Sequence, residues 1–82
     1  MNDITFSYDH DETAFVSAEI PVERKALIRV DLTEKGYLIL KRKTDPFFCS
    51  GYNDSFEVTV RGDGRIQAYT SVKPTTIQYV NL

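Results

Sequence analysis

Apolar and polar residues alternate in steps of two along most of the chain. Ile4, Phe6 and Tyr8 form one series, Ala26, Ile28, Val30 and Leu32 a second, and Phe56, Val58 and Val60 a third. A period of two sends successive side chains to opposite faces of a pleated strand, so the pattern predicts half-buried sheet. Seven strands follow. The first lies near Ile4–Tyr8 and ends in the polar turn Asp9-His10-Asp11-Glu12. The second covers Thr13–Ile20, with Ala14, Val16, Ala18 and Ile20 on one face. Pro21 cannot donate to a ladder, so it ends that strand or marks an edge. Residues 26–32 and 37–43 are the third and fourth strands, joined by the short loop Thr33-Glu34-Lys35-Gly36, whose glycine suits a left-handed position.

Residues 44–54 lack periodicity, and Pro46, Gly51 and Asn53-Asp54 mark them as loop. Ser55–Arg61 is the fifth strand, and Gly62-Asp63-Gly64 turns it tightly into the sixth, Arg65–Val72. Lys73-Pro74 breaks the run before a last strand at Thr75–Val80. The fold class expected is all-β: one small antiparallel sandwich or barrel of about seven short strands, spanning 1–82 as a single domain. One alternative is α+β with a short helix within 21–35, because Pro21 suits a helix start and Gly36 a helix stop. The β-branched Ile28 and Val30 and the clean 26/28/30/32 alternation favour strand.

At 82 residues the chain buries only about 60–65% of its unfolded surface, which leaves a thin stability margin and little room for a large catalytic cavity. A single cysteine, Cys49, forms no internal disulfide, which predicts a cytoplasmic setting. The longest apolar run is Tyr37 to Leu40, so no membrane partner is expected. The start MNDITFSYDHDE has neither the basic nor the apolar region of a signal peptide. Net charge is −2, yet its distribution is uneven. Residues 1–23 hold six acids and no Lys or Arg, whereas residues 24–43 hold seven basic groups against Asp31 and Glu34. Opposite charges on neighbouring strands can pair across a sheet, and separated ones can steer a partner.

Chemistry-bearing motifs are sparse. Asp9-His10-Asp11-Glu12 is the densest group of oxygen ligands, but the glycine and terminal glutamate of a calcium loop are missing, so a solvated turn is expected and no metal or cofactor. Cys49 and His10 are a nucleophile and a base only if they meet in space; beside Phe47 and Phe48, Cys49 reads as a small buried hydrophobe. Non-enzymatic action is therefore expected. Arg24-Lys25 and Lys41-Arg42-Lys43, with ten Phe and Tyr residues, permit a nucleic-acid surface on the 24–43 segment. The pI near 5.2 argues against it, since dedicated binders are strongly basic.

With Ile28, Val30, Leu38 and Leu40 in the core, Leu27, Arg29, Tyr37, Ile39 and Lys41 lie on the opposite face. That face mixes Tyr, Arg and aliphatic groups as protein contact sites do. Phe47, Phe48 and Tyr52 add aromatic anchors on the following loop. The stretch Phe15–Lys43 partly resembles the first half of an alpha-crystallin domain, the small heat-shock protein fold: AEIP ends at Pro21, then IRVDL and YLIL alternate, and SFEVTV and RIQA follow. The family's Gly-Val-Leu after the alanine is absent, since YTSVKPTTI follows Ala68. The resemblance implies a chaperone domain as one alternative. The reading expected from the residues is a small protein-binding module, an inhibitor or accessory factor, docking on another protein, with a homodimer as a further partner.

Overall fold

The alternation becomes ten strands in a computed structural model that describes residues 1–82. They are β1 (Asn2–Asp3), β2 (Phe6–Asp9), β3 (Ala14–Ser17), β4 (Ile20–Val22), β5 (Lys25–Gly36), β6 (Leu38–Arg42), β7 (Asp45–Cys49), β8 (Asn53–Arg61), β9 (Gly64–Thr70) and β10 (Pro74–Asn81). Sheet one is four-stranded, in the order β1-β10-β5-β8. Sheet two is six-stranded, in the order β2-β3-β9-β6-β7, with β4 continuing beside β9. All pairs are antiparallel, and the two sheets pack as a small sandwich. The 21–35 segment forms no helix: it is strand apart from the bend at Glu23 and Arg24 between β4 and β5. No helix is long and apolar enough to cross a membrane.

One core of twelve residues fills the space between the sheets. Ala26, Ile28, Val30 and Leu32 of β5 face Leu38 and Leu40 of β6 and Ile66 and Ala68 of β9. Those of β5 and β6 are the inward positions expected from alternation, and full burial of a large aliphatic side chain contributes about 1.5–3 kcal/mol.

Several joints differ from expectation. Thr33–Gly36 is not a hairpin loop, because β5 runs on to Gly36 and β6 belongs to the other sheet. A strand that changes sheet needs a close crossing, and Gly36 supplies it. A Cβ there would sit 2.7 Å from Ser71 Oγ and 2.9 Å from Val72 Cγ2. Its φ is not left-handed, so absence of a side chain is what the site uses. Gly62-Asp63-Gly64 is likewise a corner between sheets: Gly62 and Gly64 take φ of 102° and 133°, which glycine adopts freely. Asp63 Oδ1 pins the corner by accepting the Arg24 N–H at 2.7 Å.

Residues 44–54 are not all loop, since β7 pairs along β6. A register shift opposite Leu40/Lys41 breaks its alternation, and Pro46 is tolerated because β7 is an edge strand. The span 13–20 also lacks the single face expected of it. Val16 pairs with Tyr69 on the outside, whereas Ile20 pairs with Ile66 and is fully buried. The phase slips between Ser17 and Ile20. Ser17 Oγ there accepts the Ala68 N–H at 2.8 Å, filling the gap in the ladder.

Candidate functional site

The expected contact residues divide between the two outer faces of the sandwich. Leu27 and Arg29 project from β5 on sheet one, and Ile39 and Lys41 from β6 on sheet two, with Tyr37 at the joint between them. They share a face only if β5 and β6 pair, and these strands do not pair. Phe47, Phe48 and Tyr52 separate as well. Phe48 turns inward against the core, Phe47 lies under the Arg42 guanidinium at 4.9 Å, and Tyr52 packs on Tyr37 with ring centroids 5.3 Å apart. Tyr37 and Tyr52 remain 51% and 61% exposed.

The outer face of sheet one is polar and internally paired. Arg29 reaches Glu57 at 2.9 Å and Asp31 at 3.2 Å. Asp31 also accepts from Ser55 at 2.9 Å and Thr76 at 3.3 Å, tying β10, β5 and β8 together. Partial burial raises the Asp31 carboxyl, but the hydrogen bonds from Ser55 and Arg29, the Arg29 charge and Thr76 outweigh it and hold the group below its ordinary value. Arg29 is raised, first by its hydrogen bond to Asp31 and then by the charges of Asp31 and Glu57.

The outer face of sheet two is different. A single rung crosses five strands as Ser7, Val16, Tyr69, Ile39 and Cys49, each opposite the next. Four of the five positions carry apolar or aromatic groups. Lys41 lies 4.1 Å above the Tyr69 ring and 3.6 Å from Glu12, which leans in from the β2–β3 turn. Sequence reasoning singled out Ile39, Tyr37 and Lys41 but missed Val16 and Tyr69, and it read Cys49 as buried. Cys49 is a free, exposed thiol on the edge strand beside Ile39. Tyr69 stands out of phase with the buried Ala68 and Thr70, a signal present in the sequence; its neighbours Val16 and Ile39 depend on strand order.

His10 and Cys49 lie at opposite edges of sheet two, with β3, β9 and β6 between them, so they do not form a nucleophile–base pair. No three His, Cys, Asp or Glu side chains converge as metal ligands. The largest depression, about 590 Å³, lies open along β2 and the β2–β3 turn. Asp9 Oδ1 in it is occupied by the N–H groups of Asp11 and Glu12.

The basic residues Arg24, Lys25, Arg42, Lys43, Arg61 and Arg65 gather at the end opposite that turn. Arg42 bridges the sheets there, donating to Arg61 O at 3.1 Å, while its buried Nε has no protein partner. No family model matches the chain, and neither the curated proteins nor the solved structures give a match. The alpha-crystallin resemblance thus stands only on the residues quoted for it.

Proposed function

We propose that this chain is a non-enzymatic protein-binding module whose contact face is the outer face of the six-stranded sheet. The supporting observation is the apolar rung Val16–Tyr69–Ile39–Cys49, held on the outside of a rigid sheet and rimmed by charge. Interface centres combine aromatic and aliphatic groups within a polar rim, and Tyr is among the residues enriched there. On a body of 30 × 23 × 22 Å, one sheet face is of the order of the ~800 Å² that each side of a standard interface buries. Glu12 borders the rung on the side of Tyr37, and Asp9 and Asp11 stand at its β2 edge. The occupant this fits is a separate folded protein with an apolar patch and basic groups at its edge.

The test is capture by immobilised chain from nuclease-treated lysate, with one variant on each face. The expected partner is retained by Leu27→Asp, on sheet one, and lost with Ile39→Asp, on sheet two. Equal capture by both variants overturns the reading. Recovery of nucleic acid alone, lost at high salt, transfers function to the basic end.

A further inference from the structure

A sandwich of two open sheets has four edges, and three of them are protected. β1 has two residues and β2 has four. β7 carries Pro46 and a register shift. Short strands, proline and bulges are the usual devices that stop a sheet edge from recruiting another strand. β8 is long and free of proline, and its one irregularity against β5, between Asp31 and Gly36, is confined to its first residues. It runs nine residues, Asn53–Arg61, pairs only with β5, and keeps unbroken register from Ser55 to Arg61.

The direction of its free backbone groups follows from the pairing. Gly62 N–H donates to Arg24 O at 2.7 Å, continuing the register in which Lys25 faces Arg61. On the other side of β5, Leu82 N–H donates to Lys25 O at 2.9 Å. Antiparallel pairs alternate between bonded and non-bonded positions. The even residues of β8 therefore turn their N–H and C=O toward β5. Ser55, Glu57 and Thr59 turn theirs outward, where no strand meets them. Arg61 turns its N–H outward too, while its C=O accepts one hydrogen bond from the Arg42 side chain at 3.1 Å and keeps a second lone pair.

We infer that two copies of this chain pair antiparallel through β8, joining their four-stranded sheets into one. Two-fold pairing sets outward odd residues opposite odd residues, and charge selects among the registers. Centring on Glu57 opposes two carboxylates. Centring on Val58 places Glu57 against Thr59 and Arg61 against Ser55. Centring on Thr59 opposes Glu57 to Arg61 of the second copy and Arg61 to its Glu57, giving two reciprocal ion pairs, and like charges never face each other. The inner side gains as well: Phe56 and Val58 on β8 and Phe48 on the adjoining β7 are only half-buried in the single chain. That register brings Val58 against Val60 of the second copy. The two-fold axis runs perpendicular to the joined sheet, so both outer faces of sheet two point the same way. The proposed contact faces are then presented as a pair, which raises avidity for a repeated or dimeric partner.

Sedimentation equilibrium tests this with Thr59→Pro, Glu57→Lys and Arg61→Glu, each checked for folding by circular dichroism. Proline at 59 removes an outward N–H and leaves the β5 ladder intact. The wild-type chain is expected to sediment at twice its 9.4 kDa at submillimolar concentration, and Thr59→Pro at the monomer mass. Glu57→Lys and Arg61→Glu are each expected to be monomeric alone and to form a mixed dimer when combined, because the mixture restores both ion pairs. A monomeric wild-type chain overturns the inference, as does a dimer that survives in folded Thr59→Pro. A dimer lost instead in Ile39→Asp assigns self-association to the other sheet face. Charge variants that fail to rescue each other refute the Thr59-centred register.

Discussion

The two outer faces of this sandwich are built over one core by the same alternation and both have half-buried aliphatic groups at their centre, yet they differ in what surrounds those groups. On the four-stranded sheet the central rung is Val80, Leu27 and Thr59, and the next positions are Arg29, Asp31, Glu57 and Ser55, bonded to one another. On the six-stranded sheet the central rung is Val16, Tyr69, Ile39 and Cys49, with one lysine lying across it. Charged groups that satisfy each other leave a face with little to offer a partner. Apolar groups kept in water are stabilised by being covered. The inward positions fix the fold, and the outward positions decide which side of it meets other molecules.

The largest way to break the comparison is through the shared core. Leu40 lies under the apolar face and Ile28 under the polar one, and both are fully buried. Leu40→Ala and Ile28→Ala should each lower stability by about 2–5 kcal/mol, the usual range for emptying such a site. Urea unfolding followed by tyrosine fluorescence and by circular dichroism should give coincident transitions in both variants. Separate transitions would mean that the two sheets are energetically independent.

The crossing that splits the faces is the next target. Gly36→Ala places a methyl group 2.7 Å from Ser71 Oγ and 2.9 Å from Val72 Cγ2. Overpacking of this kind costs about 1–3 kcal/mol. A thermal melt should show the loss, and Gly51→Ala, where no atom lies within 4 Å of the added Cβ, should serve as the silent control.

Gly36 also shows what the sequence could reveal and what it could not. The inward series 26/28/30/32 and 38/40 were legible, because burial depends only on the pleat of each strand. The path between them was not. A polar tetrapeptide ending in glycine is equally compatible with a hairpin loop and with a strand that passes into the opposite sheet. What decides is crowding by Ser71 and Val72, residues thirty-five and thirty-six positions away. The same blindness placed Leu27 and Arg29 beside Ile39 and Lys41, and it hid Tyr69, whose neighbours are set by strand order. At β7 a bulge and a proline erased the period of two, so a paired strand read as loop.

A smaller change sharpens the contrast on the apolar side alone. Lys41→Ala removes both the contact with the Tyr69 ring and the ion pair to Glu12. Each exposed interaction of this kind contributes at most about 1 kcal/mol. The expected loss is about 0.5–1 kcal/mol by denaturant midpoint, only partly removed by added salt, since the ring contact is less screened than the ion pair. In the partner-capture assay the same variant should bind more tightly, because the loss of Lys41 frees Glu12 for the partner's basic groups, while Leu27→Asp on the other face binds as the wild type does.

The polar face has its own signature in acid. Asp31 is held below the ordinary carboxylate value of 3.8, so its folded form takes up a proton at lower pH than its unfolded form. A group of this kind contributes stability that is fully present above the unfolded value and is lost as pH falls through the folded one. The wild-type chain should therefore lose part of its stability below about pH 4, and in Asp31→Asn that part should be missing from the acid limb. Because Asp31 is reached by solvent, the difference between the two curves should be small. Lys41→Ala alters the other face and should leave this acid limb unchanged. If the Asp31→Asn curve instead runs parallel to the wild type down to about pH 2, the network joining Arg29, Ser55 and Thr76 to Asp31 contributes no net stability. The polarity of that face would then reflect solvation alone.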